Sequence, residues 1–170
     1  MAVKHNGKKK EIKTNAMRML DAAKIGYEVY EYEVDENDLS GSHIADSLGL
    51  DHRFVFKTLV AKGDRTGYIV FCIPVDEKID LKKAAAVSGN KSVQMVPVKD
   101  LLPLTGYIRG GCSPIGMKKK YPTYLDRSAL DFPRITVSSG MRGAQLLISV
   151  DALMAFVEAV PAGLTYGGPD

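Results

Sequence analysis

Cysteine and histidine are scarce in this 170-residue sequence, and their scarcity excludes several classes of site. The two cysteines, Cys72 and Cys112, form no Cys-x-x-Cys pair and cannot provide a disulfide framework. The three histidines are scattered and lack metal-ligand spacing with either cysteine, so we expect no metal. No phosphate-loop or dinucleotide fingerprint and no Ser/His/Asp triad is visible, and we expect no cofactor.

Long apolar runs are also missing. No run approaches the roughly 20 residues that a membrane-spanning helix needs, and the basic N-terminus is not followed by the apolar core of a signal peptide. We therefore expect a cytoplasmic protein that makes no membrane contact. Hydrophobic residues make up 45% of the sequence, enough for one good core, and the length favours one domain, with a monomer as the default.

Charge is unevenly distributed behind a net charge of only +3. Residues 1–13 hold five lysines against one glutamate, and residues 105–142 hold seven basic residues against two acidic ones. Two basic regions of this kind suit a phosphate-bearing partner. A soluble tail and solvated surface lysines would give the same charge pattern, so charge alone does not decide between the two interpretations.

The hydrophobic pattern mixes helices with short strands and lacks the regular alternation of a doubly wound sheet. Helices are expected at residues 14–26, 40–50, 80–89 and 150–160, with a helical turn over 97–106. Strands are expected at residues 27–34, 53–63, 68–75, 92–96, 134–140 and 144–150, with a further strand and turn within 121–132. We interpret the chain as one α+β domain around a mixed, barrel-like sheet, with a frayed segment after residue 160.

One residue interrupts the apolar pattern of the strand "RFVFKTLVAKG". Both faces of this strand are largely apolar, which predicts burial on both sides, yet Lys57 lies within one of those faces. A lysine here either snorkels at a sheet edge or discourages edge pairing. Alternatively, it places a partly desolvated ammonium at the floor of a pocket, where it would hold a carbonyl oxygen or a phosphate.

Two segments are rich in small residues. The loop "GYIRGGCSPIG" at residues 106–116 runs directly into "MKKK", and "VSSGMRGAQ" at residues 137–145 ends a strand in serine and glycine. Glycines let backbone N–H groups approach a ligand closely, although such loops are also simply how strands turn. Each segment is a weak signal alone.

Together, "VFKTLV", "GYIRGGCSPIGMKKK" and "VSSGMRG", in this order and spacing, resemble the YbaK family of aminoacyl-tRNA deacylases. The resemblance runs from about residue 14 to about residue 158. It implies a single domain with a mixed, mostly antiparallel, barrel-like sheet and flanking helices, related to the editing domain inserted in prolyl-tRNA synthetases. We divide the chain into a basic flexible tail (1–13), a YbaK-like editing domain (14–160) and a flexible C-terminal tail (161–170).

The resemblance also implies the residues of the site. It assigns catalytic positions to Lys57, Thr58 and Tyr32, with Tyr30 as the alternative to Tyr32. It assigns substrate binding to Gly110, Gly111, Ser113, Pro114, Gly116, Ser138, Ser139, Gly140 and Gln145. We expect backbone N–H groups of both small-residue segments to form the oxyanion site, and the basic residues Lys118, Lys119, Lys120 and Arg142 to contact tRNA.

One residue departs from the family pattern. The best-known deacylases carry an aspartate two residues after the Arg-Gly pair, where this chain has Gln145. Glutamine can form hydrogen bonds but cannot carry charge or take a proton, so an acid/base role at this position is in doubt. We expect Cys112 to be a passive pocket or core residue rather than a reactive thiol.

The implied function is trans-editing: removal of the amino acid from mischarged aminoacyl-tRNA, in particular Cys-tRNA(Pro). Because no protein nucleophile with an adjacent base is visible, we expect attack by the substrate thiol, the terminal ribose hydroxyl or water. The expected partners are the tRNA acceptor end and prolyl-tRNA synthetase. Two alternatives stay open: a deacylase for another small amino acid such as alanine, and a non-catalytic regulatory module that binds tRNA or a synthetase.

Overall fold

The computed structural model describes residues 3–5 and 12–168 of the chain. Five helices are present in this part: α1 (Asn15–Ala22), α2 (Gly41–Leu48), α3 (Leu81–Ser88), α4 (Val98–Thr105) and α5 (Val150–Val157). The strands are β1 (Val3–His5), β2 (Tyr27–Glu31), β3 (Phe56–Gly63), β4 (Gly67–Pro74), β5 (Val93–Met95), β6 (Thr123–Asp126), β7 (Arg134–Ser138), β8 (Ala144–Ser149) and β9 (Val160–Ala162). Two short 3₁₀ helices cover His52–Phe54 and Arg127–Asp131.

The strands form two sheets rather than one barrel-like sheet. The first sheet has the order β1-β2-β8-β7 and is antiparallel throughout. The second has the order β5-β3-β4-β6-β9, in which β6 runs parallel to both of its neighbours. A parallel bridge between Val55 and Thr136 joins the two sheets. The α+β class and the mostly antiparallel pairing expected from the sequence are confirmed, and the sheet is not closed into a barrel.

The β3–β4 hairpin is the centre of the second sheet and is covered on both faces, as its apolar pattern predicts. One face joins the larger hydrophobic core between the two sheets, where α1 and α5 also pack. The other face packs against α3 and the C-terminal segment. The side chains that fill these two cores from the hairpin are Phe56, Val70 and Cys72 on the first face and Ala61, Ile69, Phe71 and Ile73 on the second.

Helix ends follow side-chain caps. Thr14 caps α1 by accepting the N–H of Met17. The α2 helix is capped by Ser40 and not by Ser42, although both are residue types that favour an N-cap. Ser40 has the extended backbone that an N-cap needs, whereas the Ser42 hydroxyl donates to the Asp76 carboxylate 2.5 Å away.

The ends of the chain differ from the expected tails. Residues 3–5 form β1 beside β2, while residues 1–2 and 6–11 of the predicted N-terminal tail lie outside the described part. At the other end, β9 pairs with β6, Leu164 is fully buried, and Thr165 bridges Ile79. Residues 161–165 are therefore packed because their apolar side chains complete the second core.

The segment 97–106 is a complete helix rather than a single turn. Helix α4 spans eight residues of this segment, contains Pro103 and is followed by Gly106, whose φ of 85° is left-handed. No helix in the described ranges is both long and apolar enough to cross a bilayer.

Candidate active site

A pocket of about 380 Å³ lies at an unpaired edge of β3 and contains several of the predicted site residues. At its start, this edge is occupied by the bridge from Val55 to Thr136, and it is taken again by β5 from Ala61 onward. Between these points no described strand covers it. The walls come from the start of α2, the β5–α4 segment, the glycine-rich loop and the ends of β7 and β8.

Lys57 lies at the floor of this pocket. Its side chain is half-buried, and its Nζ donates to the carbonyl oxygen of Val75 at 3.2 Å. Burial lowers the pKa of the Lys57 ammonium below its ordinary value, and the negative charges of Asp76 and Glu77 oppose that shift. An ammonium has three donors, and one protein acceptor leaves donors for a ligand.

Thr58 contributes main-chain rather than side-chain groups to the pocket. Its hydroxyl lies 3.9 Å from Cys72 Sγ, on the opposite face of the strand from Lys57. The carbonyl of Val55 accepts from Val75, on the β4 side, and the carbonyl of Val60 accepts from Val96, on the other side. Because backbone groups alternate along a strand, the N–H and C=O of Thr58 point to the unpaired edge.

The two small-residue segments pack against each other through a residue that the sequence did not single out. Tyr107 is buried, and its hydroxyl donates to the Ile115 carbonyl at 2.5 Å. A Cβ added at Gly116 or at Gly140 would lie 2.9 Å from this tyrosine. Both glycines are therefore needed for packing, and the segments form one unit around the phenol ring.

Only part of each predicted segment reaches the pocket. Gly110, Ser138 and Gln145 line it, as do Lys57 and Thr58. The remaining predicted substrate-binding residues do not line it: Gly111, Ser113, Pro114, Gly116, Ser139 and Gly140. Several of these instead hold the turns, for example through the Ser113 hydroxyl, which accepts the N–H of Ile115.

The backbone N–H groups of the two segments are largely occupied. Gly111 donates to the Ile108 carbonyl, Ser139 donates to the Ala144 carbonyl, and the N–H of Gly140 donates to the Ser138 hydroxyl. These three groups cannot also serve an oxyanion. Within the described residues, the N–H groups of Gly110, Cys112 and Thr58 have no protein acceptor. These three groups are therefore the candidate backbone donors to an oxyanion.

Tyr32 lies beside the pocket wall rather than in it. Burial raises the pKa of its phenol, and hydrogen bonds from the Gly143 backbone and the Gln145 side chain oppose the shift. Gln145 is 4% exposed and also accepts a hydrogen bond from the hydroxyl of the fully buried Thr136 at 3.3 Å. Tyr30 is directed elsewhere, since its hydroxyl donates to Glu28.

Cys112 lines the pocket as a neutral thiol. The residue is buried, and burial raises its thiol pKa to about 12. A thiol with this pKa is protonated at neutral pH and is not an activated nucleophile. The described part of the chain also holds no group of three or more His, Cys, Asp or Glu residues arranged for a metal ion.

The predicted tRNA-binding cations lie outside the pocket. Lys118, Lys119 and Lys120 are exposed, and Lys120 forms an ion pair with Glu158. Arg142 is closer: its Nε donates at 2.9 Å to the backbone carbonyl of Arg109, a residue that lines the pocket.

The pocket thus gathers hydrogen-bond donors from a strand edge, an ammonium and a buried amide on an α+β scaffold. This combination defines a single-domain protein built to bind a ligand rich in oxygen acceptors, such as an ester or a phosphate.

The chain belongs to the aminoacyl-tRNA editing domain family, whose model matches residues 40–156. It is 48% identical to "Putative Cys-tRNA(Pro)/Cys-tRNA(Cys) deacylase EbsC" of Enterococcus faecalis, over 93% of this chain and 96% of that protein. It is 28% identical to a proline–tRNA ligase of Thermosipho melanesiensis, over 54% of this chain and 17% of the ligase. These matches confirm the resemblance found in the sequence, and with it the expectation of an aminoacyl-tRNA deacylase.

Solved structures agree on the fold. The crystal structure of "a putative trans-editing enzyme for prolyl tRNA synthetase" is 25% identical and superposes with a TM-score of 0.77. The match covers 92% of this chain and 100% of that one.

Proposed function

We propose that the protein is a trans-editing deacylase that cleaves the ester of mischarged aminoacyl-tRNA, with cysteinyl-tRNA, including Cys-tRNA(Pro), as its substrate. One observation carries the proposal: the half-buried ammonium of Lys57, anchored on the Val75 carbonyl, lies at an unpaired strand edge inside a pocket of about 380 Å³. The names of the similar proteins, a cysteinyl-tRNA deacylase and a prolyl-tRNA synthetase trans-editing enzyme, point to the same substrate.

The protein binds and orients the ester rather than attacking it. The Ser138 hydroxyl accepts the N–H of Gly140, the Ser40 hydroxyl is held by the His43 N–H and the Asp38 carboxylate, and the Cys112 thiol is protonated. Among the described residues no histidine, aspartate or glutamate lines the pocket, so no base there activates a protein nucleophile. The nucleophile is therefore the substrate thiol or water. It adds to the carbonyl carbon, the acyl–oxygen bond breaks, and the ribose oxygen leaves with a proton that the neighbouring ribose hydroxyl relays from the nucleophile.

Lys57 and the free N–H groups supply the stabilising contacts. The ammonium donates to the carbonyl oxygen or to the terminal phosphate, and the N–H groups of Thr58, Gly110 and Cys112 are available to the developing oxyanion. Each charge-assisted hydrogen bond of this kind contributes about 1.5–3 kcal/mol. Such contacts accelerate the reaction because water is partly excluded and the donors are already positioned.

We infer that only the acceptor end of the tRNA is bound. Arg109 lines the pocket, Arg142 donates to its carbonyl from outside, and the exposed lysines at 118–120 lie on the segment that continues from the glycine-rich loop. The identity of the tRNA is then supplied by a partner, and the likeness to proline–tRNA ligases supports prolyl-tRNA synthetase in this role.

Deacylation of a panel of charged tRNAs tests the proposal. We expect cleavage of Cys-tRNA(Pro), and a loss of about tenfold or more in kcat/KM when Lys57 is replaced by alanine. Lys62→Ala is the matched control, because Lys62 lies on the same strand but is exposed and packs over the Tyr68 ring. Unchanged turnover by a folded Lys57→Ala variant would remove Lys57 from the mechanism, and preferential cleavage of Ala-tRNA(Pro) would reassign the substrate.

A further inference from the structure

Gln145 is a polar residue of the pocket wall that is almost completely buried. It lies on β8 opposite Ser138 of β7 and Tyr30 of β2, on the face of the first sheet that turns away from the larger core. Only 4% of the residue is exposed, yet it lines the pocket. A polar side chain this deeply buried needs partners for both ends of its amide.

One contact fixes which way the amide faces. The hydroxyl of Thr136, a fully buried residue, donates to Gln145 Oε1 at 3.3 Å. Because the oxygen and the nitrogen of an amide lie on opposite sides of its terminal carbon, the NH₂ group points away from Thr136. The Gln145 side chain also opposes the rise in the pKa of the Tyr32 phenol, which agrees with this orientation.

One amide hydrogen is left over. The NH₂ group has two hydrogens, and the neighbouring Tyr32 hydroxyl can accept at most one of them. A buried donor without an acceptor destabilises the folded protein unless a ligand or water accepts from it.

The charged lining of the pocket is cationic. Lys57 and Arg109 line it, and among the described residues no aspartate or glutamate does. The α-ammonium of an aminoacyl ester therefore finds no carboxylate partner in that lining, whereas a carbonyl oxygen or a sulfur finds donors on several sides.

We propose that Gln145 is a specificity-determining residue that donates its free amide N–H to an acceptor atom of the acyl group, held in that orientation by Thr136. The pocket accordingly selects the acyl group by its carbonyl oxygen or side-chain sulfur, with the ammonium directed out of the cavity. This inference rests on the proposed deacylase function and names the group that the same site recognises.

The isosteric variant Gln145→Glu tests the direction of the hydrogen bond. At pH 8 the introduced carboxylate accepts but does not donate, and we expect kcat/KM for Cys-tRNA(Pro) to fall about tenfold or more. As the pH drops toward about 5.5 the carboxyl becomes protonated and again offers a donor, so the ratio of variant to wild-type activity rises. Taking the ratio at each pH removes titrations common to both proteins, which include those of Tyr32, Lys57 and Cys112.

Two further variants separate this role from simple packing. Thr136→Val removes the hydroxyl that holds Gln145 Oε1, so the amide can rotate. We expect kcat/KM to fall by less than in Gln145→Glu, and by the same factor at each pH. Gln94→Glu makes the same change at an exposed position of β5 and is expected to leave the ratio flat. A pH-independent loss in Gln145→Glu would reduce Gln145 to a structural residue and overturn the proposal, as would full activity at pH 8.

Binding of an amide-linked 3′-cysteinyl adenosine analogue separates this proposal from the deacylase function. We expect the dissociation constants of wild type and Gln145→Glu to show the same pH-dependent ratio, even if the wild type does not turn over its tRNA substrate. In that case the deacylase function fails and the recognition role stands. An analogue bound equally well by both proteins at pH 8, or by neither, would refute the role.

Discussion

At the residue scale, glycine is placed where a tyrosine side chain fills the space that a Cβ would take. Gly140 has a φ of 101°, and a Cβ there would meet Tyr107 Cε1 at 2.9 Å. The same ring's hydroxyl lies 2.9 Å from a Cβ built at Gly116. Both small-residue segments thus depend on one phenol for their relative position, and the pocket wall depends on both segments.

Replacing Gly140 with alanine therefore destabilises the protein. We expect the free energy of unfolding to fall by about 1–3 kcal/mol, because alanine combines left-handed strain with a collision against a buried ring. Urea denaturation of Gly140→Ala measures the effect. Gly26→Ala is the matched control, since a Cβ at Gly26 meets nothing within 4 Å and its φ is not left-handed. Equal stability of the two variants would contradict this account of the loop.

The residues of the site were predictable where they interrupt a pattern and not where they support one. Lys57 stands out as a charge within an apolar strand, and Gln145 as a departure from a family motif. Tyr107 and Thr136 carry no such signal, because a tyrosine in a loop and a threonine in a strand are ordinary. The acceptor for Lys57 is the main-chain carbonyl of Val75, which no side-chain pattern reveals.

At the element scale, a histidine that contacts two carboxylates holds α2 in place beside the pocket. His52 Nδ1 lies 2.9 Å from Asp76 Oδ2, and its Nε2 lies 2.6 Å from Asp46 Oδ1 on α2. Asp76 follows Val75, whose carbonyl holds Lys57, and Gly41 at the start of α2 packs directly against Val75. The cluster therefore links α2, the end of β4 and the floor of the pocket.

The pH dependence of this link follows from the two pKa shifts. Its two carboxylate partners raise the pKa of His52 above 6.5, so its stabilising contribution is complete below that value and is lost as pH rises through the folded-state pKa. The pKa of Asp76 is lowered below 3.8, mainly by its hydrogen bond with His52, so its contribution is lost only as pH falls through that lower value. The ion pair between His52 and Asp76 is therefore strongest at pH values between the lowered pKa of Asp76 and the raised pKa of His52.

We therefore expect His52→Gln to destabilise the protein more at about pH 5.5 than at about pH 8.5. Glutamine occupies similar space but does not titrate, so the difference in unfolding free energy between wild type and variant reports the imidazolium. Urea denaturation at both pH values provides the measurement, and amide hydrogen exchange in α2 shows whether the loss is local. A difference that stays constant, or grows with pH, would show that His52 is neutral in the folded protein.

Elements were predictable from local pattern, and their ends were set by tertiary contacts. The β3–β4 hairpin, α3 and α5 follow directly from apolar periodicity and capping residues. Ser42 has the chemistry of an N-cap, but its hydroxyl is taken by Asp76, 34 positions away, and Ser40 caps α2 instead. The pairing of β9 with β6 depends on distant partners in the same way.

At the scale of the whole molecule, the pocket lies where two sheets meet without fully pairing. The Val55–Thr136 bridge brings β3 beside β7, and the next residues of β3 are left without a strand neighbour among the described residues. Neither sheet alone contains the site: Lys57 and Thr58 come from one, and Ser138 and Gln145 from the other. The order of the elements predicts the α+β class. It does not predict this contact between the two sheets, because the contact depends on the register of strands that are distant in sequence.

The same arrangement separates the pocket from the exposed lysines. Gly110 lines the pocket, while Lys118 and Lys119 lie further along the chain, exposed to solvent. A tRNA acceptor end whose last nucleotide enters the pocket would place its preceding phosphates outside, within reach of these cations. We therefore expect the double variant Lys118→Gln, Lys119→Gln to bind tRNA more weakly than wild type while retaining the cleavage rate of bound substrate.

Salt dependence separates phosphate contact from general charge loss. Each lysine that neutralises a phosphate contributes about 0.7–0.9 to the slope of log Kd against log salt, so the double variant should lose about 1.4–1.8 from that slope. The matched control, Lys78→Gln with Lys82→Gln, removes the same charge from exposed positions before and within α3, away from the glycine-rich loop. If both double variants reduce the slope equally, the lysines act only through net charge, and the tRNA backbone does not follow this segment.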